Sequence, residues 1–181
     1  MVTYTTLRIL VGITLFLFIL LGPIILLGNT QSTYLLFSSS EEMQEIISFL
    51  FSEGRLSSFD ELESSHMEDV KFLLEVGKWF FVFSVLILFF YFYNVKDNLL
   101  LKRVGALGLG FGFVTIIIAI FNFGFAFKIF HEVLFPQGNW MFPYNSLIIQ
   151  IFPQEIFFKL GIVCIVLSLA GFLFCYYQST R

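Results

Sequence analysis

Four apolar stretches, each about 20 residues long, constrain this chain more than any other feature. They cover about residues 6–28, 76–93, 104–127 and 157–177. A helix of about 20 apolar residues is long enough to cross the hydrocarbon core of a bilayer. Since 58% of the residues are hydrophobic and only 13% are charged, an ordinary soluble domain is excluded. We therefore predict an all-α membrane protein, with four transmembrane helices in a single membrane domain over 1–181.

Two longer polar regions, about residues 29–75 and 128–156, separate the apolar stretches. The first contains SSSEEMQEIISFLFSEG, in which serines precede two glutamates and apolar residues then recur at helical spacing. This pattern predicts a short amphipathic helix with an acidic polar face. Two placements stay open for it: flat on the bilayer surface, or packed over the membrane domain. A further helix is expected to begin near SFDELESS and to continue into the second apolar stretch.

Glycines open the third apolar stretch, at Gly105, Gly108, Gly110 and Gly112. Small residues at this spacing let a second transmembrane helix approach closely. A phosphate-binding loop is disfavoured, because no strand precedes these glycines. Neither a nucleotide-binding nor a nucleic-acid-binding signature is present, and we predict no cofactor.

The distribution of basic residues predicts the orientation. One side carries the bases Arg8, Lys96, Lys102, Arg103 and Arg181 with a single acid. The other side carries the remaining twelve of the 13 acidic residues and five of the 10 basic residues. Short basic segments stay in the cytoplasm, so both termini are predicted to be cytoplasmic and both long polar regions extracytoplasmic.

The only two histidines, His66 and His131, are therefore expected at the extracytoplasmic face. His66 and Asp69 share a helix face at i, i+3, so Asp69 is a candidate to orient the imidazole. Each histidine alone is typical of an exposed residue near a membrane surface. Together, at one face and beside Asp69 and Glu132, they are better candidates for acid–base catalysis.

A metal site is the weaker interpretation of the same residues. The HEVLF segment at His131 begins like a zincin motif but lacks the second histidine. A zinc site would need both histidines and a carboxylate from Asp69, Glu132 or Glu68. We predict no bound metal.

Two sequence elements resemble a known family. They are HMEDV at His66, a His-x-x-Asp-Val element, and HEVLFPQGNWMFPYNSLIIQIFPQEIFF at residues 131–158. The second contains F-P, N-W, F-P and P-x-x-x-F-F in that order. This ordered set resembles the lipoprotein intramolecular transacylase family of Gram-positive bacteria, whose members are small four-span membrane proteins. The resemblance covers essentially the whole chain.

The resemblance implies an activity and a site. The substrate would be a bacterial lipoprotein with an N-terminal diacylglyceryl-cysteine and a free α-amine, held in the plasma membrane. The enzyme would move the sn-2 acyl chain onto that amine and leave a lyso-form lipoprotein. By this resemblance, His66 and His131 would be the essential pair. We assign His131 as the base and His66, oriented by Asp69, as its partner, with the exchanged roles as the alternative.

Further residues are predicted to contact the substrate. Asn139 and Trp140 carry side-chain N–H donors for the ester or the oxyanion. Glu132 is a second candidate, and Phe135 is expected in an apolar groove for the acyl chain. Two alternatives remain: a membrane metallohydrolase, and a non-enzymatic membrane helper protein in which the histidines only pack or sense pH.

Overall fold

The computed structural model describes residues 3–180, and the regular structure in that range is entirely helical. The helices are α1 (Tyr4–Gly28), α2 (Gln31–Leu35), α3 (Glu41–Phe51), α4 (Glu61–Asn94), α5 (Asn98–Leu134), α6 (Leu147–Ile151) and α7 (Gln154–Gln178). Four of them, α1, α4, α5 and α7, are long and apolar enough to cross a membrane, and each contains one of the predicted stretches. The predicted fold class is confirmed. Arg181, counted above with the basic residues, lies outside the described residues.

The two central helices are longer than a bilayer requires. With 34 residues in α4 and 37 in α5, they measure roughly 51 and 55 Å at about 1.5 Å per residue. A hydrocarbon core is only about 30 Å thick. The charged residues that bound the apolar stretches are Lys78 in α4 and Lys128 in α5. Residues before Lys78 in α4 and after Lys128 in α5 therefore lie outside the membrane-spanning segments. We call the end of the bundle that holds these residues the loop end. The opposite end, where residues 95–97 join α4 to α5, is the hairpin end.

A first core fills the hairpin end of the bundle. Helix α1 packs against α4, α5 and α7, and α5 packs most extensively against α7. The buried side chains of this core are Val11, Leu15, Leu88, Tyr91, Leu100, Val104, Phe172 and Cys175. Beside it, Arg8 donates two hydrogen bonds to Asp97, from Nε at 2.6 Å and from Nη2 at 2.5 Å. This ion pair ties the start of α1 to the link between α4 and α5.

The sequence predicts a close helix contact at four glycines of α5, and three of them, Gly105, Gly108 and Gly112, lie against α7. A Cβ atom at Gly105 would lie 2.7 Å from both the carbonyl oxygen of Phe172 and the amide nitrogen of Tyr176. At Gly108 it would overlap the ring of Phe172, and at Gly112 the side chain of Leu169. Gly110 differs, because nothing lies within 4 Å of a Cβ built there.

A second core lies at the loop end, where α3 and α6 pack over the start of α4. Its buried members are Met43, Ile46, Ile47, Leu50, Phe59, Met67, Ile148 and Ile151. Lys71 of α4 also donates a hydrogen bond from Nζ to the carbonyl of Phe49 in α3, at 2.6 Å. Of the two placements left open for the amphipathic helix, the structure has the one in which it packs over the membrane domain.

Helix α5 is interrupted at Asn122, whose backbone is not helical (φ −154°, ψ 69°). The side-chain oxygen of Asn122 accepts a hydrogen bond from the amide of Phe125 at 3.1 Å, as a capping residue does at a helix N-terminus. The last three turns of α5 thus form a separately capped segment. This break was not predicted from the sequence.

Gly105→Ala should destabilise the protein, whereas Gly110→Ala should not. At Gly105 the added methyl group meets backbone atoms of α7, which cannot rotate away, and overpacking of this kind typically costs about 1–3 kcal/mol. At Gly110 the methyl group meets open space, and alanine is the better helix former by about 1 kcal/mol. Thermal unfolding of both variants in detergent tests this. Equal unfolding temperatures would contradict the close α5–α7 contact.

Candidate active site

The two histidines meet at the loop end. His66 lies in the second turn of α4 and His131 in the last turn of α5, and their ring centroids are 6.3 Å apart. Both residues are buried, with 7% of their surface exposed. Their meeting does not come from a packed hairpin, because α4 packs along α1 rather than along α5. The two helices instead end at a similar height, and the loop after α5 closes the space between them.

Aromatic side chains surround both imidazoles. Phe135 lies against both rings, with centroid distances of 4.5 Å to His66 and 5.7 Å to His131. Phe142 contacts His66 at 5.4 Å. His131 is further enclosed by Phe127 at 4.0 Å and Trp140 at 5.0 Å. The imidazoles therefore lie in an apolar environment that is poor in water.

This environment disfavours the charged form of each ring. Burial, and to a smaller extent the positive charge of a protonated His131, lower the pKa of His66 to about 4, although Asp69 and Asn139 act in the opposite direction. Burial also lowers the pKa of His131, against the opposing effect of its hydrogen bond to Phe127. Both imidazoles are thus neutral at physiological pH.

The hydrogen bonds of the two rings differ. The Nδ1 atom of His131 lies 2.8 Å from the carbonyl oxygen of Phe127. A carbonyl oxygen can only accept, so Nδ1 carries the proton and Nε2 of the neutral ring has its lone pair free. The buried Nδ1 of His66 has no hydrogen-bond partner among residues 3–180. The polar group next to His66 is instead the side chain of Asn139, which raises the pKa of the imidazole.

Asp69 makes no direct hydrogen bond to His66 among the described residues. Its Oδ2 accepts hydrogen bonds from the side-chain amides of Gln137 and Asn139, both at 2.6 Å. The second amide proton of Asn139 is directed to the hydroxyl of Ser65 at 3.3 Å. Asp69 therefore holds the loop after α5 against α4, and it acts on His66 only through its charge.

These bonds also fix the direction of the Asn139 amide. Because a carboxylate only accepts, the NH₂ group must face Asp69. The amide oxygen then faces His66, whose pKa it raises, but it is buried without a well-formed hydrogen bond among the described residues. Both Asn139 donors are in use, so Asn139 is not available as the oxyanion donor predicted from the sequence. It offers an acceptor instead.

A tight turn delivers Asn139 and Trp140 to this position. The amide of Gly138 donates to the carbonyl of Phe135 at 3.0 Å, and Gly138 has φ +81°. That region of backbone space favours glycine, because it has no Cβ. The short turn returns the chain over His131 directly after α5 ends.

Glu63 is a site residue that the sequence analysis missed. It is 3% exposed, and it forms a capping box with Asp60 at the start of α4. Its Oε1 also accepts a hydrogen bond from the amide of Ile148 at 3.0 Å, which anchors α6 one turn from His66. The D-x-x-E spacing of Asp60 and Glu63 was the available signal for the cap. No local sequence pattern predicts the hydrogen bond to Ile148, which is 85 positions away in the chain.

Glu132, predicted to contact the substrate, does not join the cluster. It is exposed and lies 3.6 Å from Lys128 in an i, i+4 ion pair on the surface of α5. Within residues 3–180, no three or more His, Cys, Asp or Glu side chains come together in a group that could hold a metal ion.

Comparison with known proteins gives the family. Residues 40–158 match the family model of the lipoprotein intramolecular transacylase Lit, which covers more than half of the chain and includes both histidines. The chain belongs to the Lit family. It is therefore an acyltransferase of lipoproteins, and the predicted family and enzyme class are confirmed. The non-enzymatic alternative is overturned by the same match.

Solved structures of the Lit family share the fold. An in meso structure of the membrane integral transacylase Lit from Bacillus cereus is similar with a TM-score of 0.70 and 18% identity, covering 96% of this chain and 93% of that one. A variant of the same protein with one histidine replaced by arginine matches with a TM-score of 0.68 and 19% identity, over 97% and 90% of the two chains. At these identities the likeness concerns the fold, that of an integral multi-pass membrane protein. A comparison with curated proteins found no significant match.

Asp69→Ala should lower the rate of transacylation by about tenfold or more, because the amides of Asn139 and Gln137 lose a charged acceptor. The matched control is Glu68→Ala, which removes a neighbouring exposed carboxylate. The rate is measured in membranes with equal amounts of each variant. Equal rates for the two variants would contradict a positioning role for Asp69.

His66 should make the protein less stable in mild acid. The folded pKa of about 4 lies below the ordinary 6.5, so the unfolded chain binds a proton that the folded protein excludes. The contribution of neutral His66 to the stability of the folded protein is fully present above pH 6.5 and is lost as the pH falls towards 4. Unfolding temperatures of wild type and His66→Gln between pH 7 and 4 test this. We expect a shallower decline for the variant, and parallel curves would contradict the lowered pKa.

Proposed function

We propose that this member of the Lit family transfers the sn-2 acyl chain of a diacylglyceryl-cysteine lipoprotein to the α-amine of the same cysteine. The product is an N-acyl, S-monoacylglyceryl (lyso) lipoprotein. The observation that carries this proposal is the pairing of the chain's only two histidines, 6.3 Å apart, in a buried aromatic pocket. Neutral imidazoles in such a pocket suit a reaction that only moves a proton between two substrate atoms.

The reaction needs no covalent nucleophile from the enzyme. The amine attacks the ester carbonyl, so a C–N bond forms and the C–O bond to the glyceryl group breaks. One proton leaves the amine nitrogen, and one proton reaches the departing glyceryl oxygen. Both atoms are bonded to the same tetrahedral carbon in the intermediate, so a single base can serve both.

His131 is the proposed base. With Nδ1–H held by the carbonyl of Phe127, its Nε2 lone pair can take the proton from the amine and then deliver it to the glyceryl oxygen. The apolar surroundings also favour the neutral, nucleophilic form of the amine, since burial penalises an ammonium group. Trp140, whose ring is tilted against that of His131, is the proposed N–H donor near the ester.

His66 and Asn139 are proposed to orient the substrate. His66 stays neutral, so it acts as an N–H donor to an ester oxygen rather than as an imidazolium acid. The unpaired oxygen of Asn139 is an acceptor for the remaining N–H of the amine. Asp69 supports this arrangement by holding Asn139. Phe135, which lies against both imidazoles, excludes water that would otherwise hydrolyse the ester.

The site is proposed to face the outside of the plasma membrane. The hairpin end carries Arg8, Lys96, Lys102 and Arg103 in short segments, and such segments remain in the cytoplasm. Both termini then lie in the cytoplasm, and the histidines lie at the outer surface of the bilayer. Lipoproteins held there by their diacylglyceryl group would reach the site from the membrane lipid.

His66→Ala and His131→Ala should each abolish the conversion. Cells that contain diacylglyceryl lipoproteins with free amines would express wild type or a variant at matched membrane levels. Mass spectrometry of the lipoprotein N-termini should find the N-acyl lyso form, at an unchanged number of acyl chains, with wild type but with neither histidine variant. The control is Glu75→Gln, an exposed residue that pairs with Lys78, and it should retain the conversion.

Two results would overturn the proposal. If the histidine variants fold and still convert the lipoproteins, the pair is not catalytic. If wild type instead lowers the mass by one acyl chain and releases free fatty acid, the protein is a hydrolase.

A further inference from the structure

A groove at the hairpin end lies far from the histidines. It runs between the first halves of α1 and α5 and has a volume of about 460 Å³. Its walls are mostly apolar and include Ile13, Phe16 and Leu107, while Arg8 and Arg103 lie along it. Arg103 and His131 are 28 residues apart on α5, which corresponds to roughly 40 Å of helix. The groove is therefore separate from the candidate active site.

The two arginines of the groove differ in charge balance. Arg8 is paired with Asp97, whose carboxylate also accepts hydrogen bonds from the Tyr91 hydroxyl and the Leu100 amide, both at 2.9 Å. This cluster is neutral overall and satisfied within the protein. Arg103 is exposed and has no hydrogen-bond or ion-pair partner among residues 3–180. It leaves one uncompensated positive charge at the groove.

An apolar groove between two transmembrane helices with a free guanidinium fits a particular ligand class. The groove is large enough for an acyl chain, since its volume of about 460 Å³ lies within the range of about 300–1,000 Å³ typical of small-molecule sites. A guanidinium binds phosphate through two parallel hydrogen bonds. A zwitterionic lipid brings its own cation, so the unbalanced charge favours an anionic headgroup. We propose that this groove binds one anionic phospholipid, with an acyl chain along Ile13, Phe16 and Leu107 and the phosphate on Arg103.

The bound lipid would hold α1 against α5 and so stabilise the folded protein. A ligand that binds only the folded state raises the unfolding temperature in a saturable way. The full-length protein in a non-ionic detergent would be titrated with phosphatidylglycerol, with phosphatidylcholine of the same acyl chains, and with inorganic phosphate. We expect a saturable rise of the unfolding temperature with phosphatidylglycerol, and none with phosphatidylcholine or inorganic phosphate.

Three variants locate the effect. Arg103→Gln should weaken the phosphatidylglycerol response by about tenfold or more, since it loses a charge-assisted phosphate contact. The matched control is Lys102→Gln, which removes an exposed charge at the adjacent position outside the groove and should respond like wild type. Leu107→Trp should obstruct the groove and weaken the response without unfolding the protein, because Leu107 is 69% exposed.

The possible failures are distinct. Equal responses to the two phospholipids would overturn the charge selectivity, and an equal response to inorganic phosphate would replace the lipid by a simple anion. Equal losses for Arg103→Gln and Lys102→Gln would overturn the site in favour of a diffuse basic surface. A normal response of Leu107→Trp would place the acyl chain elsewhere.

Discussion

The close approach of α5 and α7 is the contact on which the rest of the structure depends. Gly105 brings the two backbones within a distance that no side chain would allow, and Phe172 fills the space beside Gly108. This contact sets the position of α5, and α5 carries His131 at its far end. In a membrane, close packing of backbones replaces the hydrophobic effect as the force that joins helices.

The site itself is built differently, from polar contacts over an apolar core. The second core places α3 and α6 on the start of α4. Two buried or partly buried carboxylates, Glu63 and Asp69, then fasten the loop after α5 to that helix. Each carboxylate bonds to a residue some 70 to 85 positions further along the chain. The loop end thus achieves a defined geometry although it contains little regular structure between α5 and α7.

Burial gives the histidine pair its chemical character. Burial lowers the pKa of both imidazoles, which favours their uncharged form. In the proposed reaction, such a pocket would favour a neutral amine and exclude water from the ester. Acyl transfer within one molecule and hydrolysis differ only in the nucleophile, so the exclusion of water decides between the two outcomes. In the proposed reaction the substrate amine is the nucleophile, so the enzyme needs no serine or cysteine for that role.

Periodicity and composition determined the four long helices and α3, but not the short helices α2 and α6 or the break at Asn122. The apolar stretches, the glycines of α5 and the amphipathic pattern of α3 are local properties, because hydrogen bonding in a helix joins residues four apart. Only the tertiary structure decided the partners of the polar side chains. Asp69 bonds to Asn139 rather than to His66, Glu132 faces outwards to Lys128, and Glu63 anchors Ile148. A carboxylate can pair with any donor that folding brings near, and the sequence around it carries no record of which donor that will be.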